Sequence, residues 1–152
     1  MIQSGFNFLA MNLQKLIKIL SILSIVMIGG MNDGICSAIA NDKSKQVLDL
    51  HGKLDLRKSL AIISLGEMTI GGDTGMVHAS EALGVPVTMI MGPTNIQMGG
   101  GIMLETSVVI EKDIWCRPCS QNGKRPCYRS QQYCMTEIST SDVRRAVQKV
   151  LA

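Results

Sequence analysis

Between residues 71 and 78 the chain reads Gly-Gly-Asp-Thr-Gly-Met-Val-His, a run dominated by side chains that are absent or able to hydrogen-bond. Gly71, Gly72 and Gly75 let a ligand approach the backbone closely, and glycine also accepts φ > 0. Asp73 and Thr74 are helix-capping residue types. If a helix starts here, the amides of Thr74, Gly75 and Met76 have no acceptor inside it and point outward. Free amides at the positive end of a helix dipole form an anion site suited to a diphosphate. His78 stands four residues after Thr74 and three after Gly75, which puts it on the same helical face one turn in. An imidazole there can donate to a phosphate oxygen or to a sugar. The plainer reading makes Asp73 a helix cap and His78 a satisfied helix residue. The run is neither the dinucleotide fingerprint G-x-G-x-x-G nor a P-loop, since no Gly-Lys-Ser/Thr follows.

Thiols gather further on. Cys116-x2-Cys119-x7-Cys127-x6-Cys134 places four within nineteen residues, with Cys36 apart. In a reducing compartment that spacing suits a structural zinc site more than disulfides. Arg117, Lys124, Arg125 and Arg129 surround them, and basic neighbours favour the thiolate, hence metal binding or oxidation. A redox-labile loop and unlinked thiols are the other readings. Asp33, just after Gly29-Gly30, is either an acceptor for a ribose or adenine or a solvated helix cap.

These groups need elements to hold them. Phe6, Leu9, Leu13, Leu16, Ile17 and Leu20 recur at helical spacing and predict a helix over 4–20. The run 22–28 is apolar and ends in Gly29-Gly30, as a strand buried on both faces of a parallel sheet does. A helix is expected at 33–40 and a strand at 46–50. Asp55 caps a helix running through Leu56, Leu60, Ile63 and Leu65 to its C-terminal stop at Gly66. A strand follows at 68–71, a helix at 74–83 with Gly84 as its C′ residue, and strands at 85–91 and 108–110. Ser141-Asp142 opens a last helix over 143–151, with Val143, Val147, Val150 and Leu151 inward. Alternating helices and strands imply a parallel, doubly wound, Rossmann-like sheet with helices on both faces. Such sheets bind ligands beyond the carboxyl ends of their strands. That location is where 71–75 and Gly92-Pro93-Thr94 fall.

Bulk properties narrow the class. With 152 residues, 46% hydrophobic and 18% charged, the chain is a globular domain rather than a disordered segment. Aromatics at 3% leave no stacking platform for nucleic acid, so no nucleic-acid partner is expected. The net charge of +3 comes largely from the C-terminal third, and fits a solvated face, phosphorylated partners or an anionic membrane surface. The apolar stretch 19–30 is too short to span a bilayer. Lys15, Lys18, the run 19–28 and Ala38-Ile39-Ala40 allow a secretory signal instead. Asp33 and the polar 31–34 stretch interrupt it, and a cytoplasmic location is the main expectation.

Residues 71–95, GGDTGMVHASEALGVPVTMIMGPTN, resemble the signature of the ADP-heptose:lipopolysaccharide heptosyltransferase family, glycosyltransferase family nine. Its pattern runs G-N-D-T/S-G-x-x-H-x-A-x-A-L-G-x-P and continues to a G-P-T turn. His51-Gly52-Lys53-Leu54-Asp55-Leu56 resembles the family's G-K-x-x-L segment, and Cys116-Arg117-Pro118-Cys119 through Cys134-Met135 its C-x-P-C…C…C-M tail. Gly72 stands where the family usually has Asn, and Met76-Val77 where it often has Pro-Met.

The resemblance implies a GT-B glycosyltransferase, in which two Rossmann-like domains enclose the active site. Residues 1–152 then correspond to the C-terminal, donor-binding half, with a cysteine loop at 116–134. Gly72, Asp73, Thr74, Gly75, Met76 and His78 would hold the donor diphosphate and sugar, with Asp33 toward the ribose. The catalytic base and the lipopolysaccharide core acceptor belong to an N-terminal domain without counterpart here, so no catalytic residue is expected in this chain. No metal or cofactor is required, the substrate being an ADP-sugar. The implied place is the cytoplasm, in peripheral association with the inner membrane. A truncated, inactive fragment that at most binds nucleotide is the alternative expectation. A secreted protein starting at Asn41 and a nicotinamide-binding domain are remoter ones.

Overall fold

The computed structural model describes residues 25–40, 47–98 and 100–152. The expected helix at 4–20 and most of the signal-like stretch lie outside them. The described elements are β1 (Ile25–Met27), α1 (Ile35–Ala40), β2 (Val47–Asp49), α2 (Leu56–Ser64), β3 (Thr69–Gly72), α3 (Gly75–Ala82), β4 (Val87–Ile90), a 3-10 turn (Ile96–Met98), β5 (Val108–Ile110), α4 (Tyr133–Thr136) and α5 (Thr140–Val150). Strands β1 and β2 pair in parallel, and β3, β4 and β5 form a second parallel sheet in that order.

Side-chain alternation along β4 explains the two helical layers. Val87 and Met89 join Met91 and Val77 of α3 in one cluster. Ile90 joins Ile110, Ile138 and the α5 residues Val143, Ala146 and Val147 in another. Helices therefore cover both faces of the sheet, as the Rossmann-like reading expects. β4 is buried throughout, and Thr88 Oγ1 is the one buried side-chain polar atom without a partner among the described residues. Replacing a stranded hydroxyl by a methyl of the same shape removes a desolvation penalty. Thr88→Val is expected to stabilise the fold by about 1 kcal/mol, read as a higher urea midpoint at unchanged m-value.

Two helices bury narrow apolar faces, the second narrower than expected. Asp55 caps α2 by accepting from the Lys58 amide at 2.8 Å, but Leu56 and Leu65 are exposed and only Ile63 is buried. Leu65 follows Leu56 by nine residues, which at 100° per residue puts it on the opposite side. Helix α5 starts ahead of Ser141 because Ser139 and Asp142 form a reciprocal capping box. Its inward face is Val143, Ala146 and Val147, while Val150 is half-buried and Leu151, the C-cap, is exposed.

Asp142 also ties α5 to the residues after β5. It accepts from the Ser139 amide at 2.9 Å and from Lys112 Nζ at 3.0 Å, and pairs with Arg145. The Ser139 amide and the Lys112 ammonium outweigh burial and hold the carboxyl at about 2. A carboxyl depressed in the fold stabilises it above the unfolded pKa, near 4, and that contribution disappears as pH falls toward 2. Asp142→Asn is thus expected to cost about 2 kcal/mol at pH 7 and little at pH 2, measured by urea unfolding at both.

Candidate functional site

The site begins where β3 ends at Gly72. Thr74, in extended backbone, occupies the N-cap position of α3, and no side chain caps the helix. Asp73 is therefore not the cap its residue type suggested. Its carboxylate is committed elsewhere: Oδ1 lies 3.0 Å from His78 Nε2, and Oδ2 accepts from Thr94 Oγ1 at 2.9 Å. Helical side chains lean back toward the N-terminus, so the His78 ring reaches the turn one loop before its own. The Thr94 hydroxyl, buried, arrives from the turn after β4. One carboxylate thus joins the β3–α3 corner to the Gly92-Pro93-Thr94 turn, with His78 partly open to solvent. The first amides of α3, which have no acceptor inside it, stay uncapped beside this group.

The glycines here serve room rather than backbone strain. Positive φ occurs at Gly52, Gly84 and Gly123, not at Gly71, Gly72 or Gly75, which corrects that part of the reading. A Cβ on Gly75 would meet nothing within 4 Å, and one on Gly72 would only touch Ile90 O at 3.9 Å. Neither position is crowded. Gly71 is the reverse, since a Cβ there would lie 2.6 Å from Val77 Cγ2; its missing methyl sets how closely α3 sits on β3.

Two members of the assembly were not found from the sequence. Arg117, grouped there with a basic surface cluster, is a buried clamp with its side chain 7% exposed. It donates to Gly92 O at 2.5 Å, Lys112 O at 2.5 Å, Thr94 O at 2.7 Å and Glu111 Oε2 at 2.8 Å. The guanidinium satisfies carbonyls from both sides of the G-P-T turn at once, which explains its burial. Glu81, on α3, is buried as well and accepts from the amides of Met103 and Leu104. Neither fact follows from spacing, because Gly92 and Thr94 lie more than twenty residues from Arg117, and Met103 and Leu104 more than twenty from Glu81.

The remaining candidates fall outside the Asp73 group. Asp33 Oδ2 accepts from the Gly30 amide at 2.7 Å, so one oxygen closes the turn after β1, and no bond connects it to residues 73–78 among the described residues. Nearby, His51 Nδ1 lies 2.6 Å from Asp49 Oδ1 and its Nε2 3.5 Å from Ser37 Oγ. Cys116, Cys119, Cys127 and Cys134 line one cavity with Arg117, Arg125 and Arg129. All are free thiols, and among the described residues no three His, Cys, Asp or Glu are grouped to hold a metal ion. Burial pushes the Cys134 thiol up. Arg129 lies over Tyr133, 4.2 Å from its centroid, and over Trp115 at 5.3 Å, so this basic residue too is packed rather than free in solvent.

Comparison with known proteins bears on this arrangement. The family model described as glycosyltransferase family 9 (heptosyltransferase) matches residues 8–128. A solved structure titled as a glycosyl transferase family 9 from Veillonella parvula DSM 2008 is similar with a TM-score of 0.73 at 18% identity. The similarity covers 93% of this chain and 41% of that one, so the chain spans well under half the length of this relative. At that identity the likeness speaks to the fold. Comparison with curated proteins returns no match. The matched range holds β1 through β5 and the whole Asp73–His78–Thr94 group, and the chain belongs to glycosyltransferase family 9, the heptosyltransferase family.

Proposed function

We propose that the chain is the donor-binding part of a heptosyltransferase and takes the diphosphate of an ADP-sugar at residues 72–78. The supporting observation is the Asp73 bridge beside an uncapped helix start, with Gly72 and Gly75 uncrowded. In glycosyl transfer the bond from the anomeric carbon to the diphosphate breaks, and negative charge builds on the departing oxygens. Fixed amides at a helix start stabilise that charge without reorganising. His78, aimed by Asp73, would donate to a phosphate oxygen or the sugar. ADP-heptose as donor, the lipopolysaccharide inner core as acceptor and the cytoplasmic face of the inner membrane as the place are carried by family membership. The group that accepts the acceptor's proton is assigned to a second, N-terminal domain.

Calorimetric titration of the chain with ADP, ADP-heptose, UDP and NAD in the presence of a chelator tests this reading. ADP and ADP-heptose are expected to bind without metal and more tightly than UDP. Heptose transfer by the chain alone is expected to be undetectable, since proximity and general-base catalysis each contribute orders of magnitude. A folded sample that binds none of these nucleotides would overturn the assignment.

A further inference from the structure

Glu81 poses a physical question that the donor site does not answer. The residue is 5% exposed, and no cation pairs with its carboxylate among the described residues. A buried charge without a counterion is unfavourable unless hydrogen bonds replace its lost water. An alanine at this helix position would avoid that burden. The replacement bonds all come from one short segment: Met103 N donates to Oε1 at 3.0 Å and to Oε2 at 3.1 Å, and Leu104 N donates to Oε1 at 3.1 Å. The carboxylate therefore acts as an acceptor for two successive backbone amides, 22 and 23 residues further along.

The anchored segment leads back to Asp73. A Cβ on Gly100 would stand 3.0 Å from Asp73 Oδ2 and 3.3 Å from Oδ1, so the backbone at Gly100 lies directly against that carboxylate. Ile102, between the contact and the anchor, packs on the Val77–Met89 cluster under α3. Glu81 and His78 are three residues apart on the same helix, adjacent by helical geometry. The helix that presents the imidazole thus also fastens the wall beside the imidazole's partner.

We infer that Glu81 is a positioning residue of the donor site: by holding the Met103 and Leu104 amides it keeps the backbone at Gly100 against Asp73, and so fixes the Asp73–His78 pair. This rests on the donor-site reading for its ligand, but not for the anchor itself. Two variants remove the anchor from opposite sides. Glu81→Gln keeps the shape and replaces one acceptor oxygen by an NH2 group that faces a donor. Met103→Pro deletes the amide that reaches both oxygens while leaving α3 and its core contacts unchanged, and Met103 is exposed.

The readouts on the full chain are backbone hydrogen exchange over 100–104, the His78 ring resonances by NMR, and ADP affinity. Both variants are expected to exchange faster over 100–104, to shift the His78 ring signals and to bind ADP roughly tenfold more weakly, with protection of β4 unchanged. Faster exchange with His78 signals and ADP affinity like the parent's would overturn the proposal, leaving Glu81 a mere tether. Unchanged exchange over 100–104 would overturn it too. If the parent itself does not bind ADP, the donor assignment falls separately, and the His78 signals still decide whether Glu81 positions the pair. Should Glu81→Gln fail to fold, Met103→Pro decides alone.

Discussion

Asp73→Ala is expected to weaken ADP binding about a hundredfold, the largest functional loss of any single change in the chain. The carboxylate holds His78 and Thr94 together, and a hydrogen bond to a charged group contributes roughly 1.5–3 kcal/mol. Its removal frees the imidazole and leaves the buried Thr94 hydroxyl without its acceptor. An opposing effect exists, because a carboxylate repels a diphosphate. That repulsion acts from a partly exposed position, where solvent and salt screen it, so loss of alignment should dominate. Asp73→Asn separates the two, since it removes the charge but keeps an acceptor for Thr94. Calorimetry on both variants checks the balance. Tighter ADP binding by Asp73→Ala than by the parent would mean that repulsion dominates and that the bridge does not align the site.

Arg117→Ala is expected to be the most damaging change to stability, at about 3–5 kcal/mol. The guanidinium serves the carbonyls of Gly92, Thr94 and Lys112 as well as Glu111. Truncation strands several buried acceptors together, and domains of this kind have only about 5–15 kcal/mol in reserve. Lysine should rescue little, for an ammonium cannot reproduce the planar fork that reaches several oxygens. Urea unfolding gives the value, and a loss below 1 kcal/mol would show that water takes over the clamp. Because the clamp holds Thr94 O, surviving Arg117→Ala protein should also bind ADP more weakly.

Much of the architecture was legible because it rests on local rules. The continuous apolar runs announce β4 and the end of β1, Asp55 announces α2, and Gly84, at φ 79°, ends α3 as a C′ glycine does. The strand-to-helix corner at 71–78 was legible for the same reason. What escaped was non-local. Asp73 looked like a cap from its neighbours, yet its partner Thr94 lies 21 residues on. Arg117 looked like one of several surface cations, and only the folded chain surrounds it with carbonyls. Glu81 sits in a helix where nothing nearby hints that two distant amides need an acceptor. The cysteine spacing left zinc, a redox-labile loop and unlinked thiols open, and that the four line one cavity with three arginines is again a property of the folded chain.

The parallel register of β3 on β4 has a consequence for how reliably the chain folds. Gly72 is paired with Ile90, so Asp73 lies one residue beyond the pairing and Thr94 four beyond it. Sliding β3 by a single residue would displace the carboxylate by about 3.3 Å along the strand, further than a hydrogen bond can stretch. The same slip would turn the strand's side chains to the opposite faces. Apolar burial alone discriminates weakly here, because both faces of the sheet are greasy and short strands offer few contacts. The Asp73–Thr94 bond adds a polar check that only the native pairing passes, widening the energy gap over misaligned states. The group that would receive the ligand therefore also proofreads the sheet that carries it.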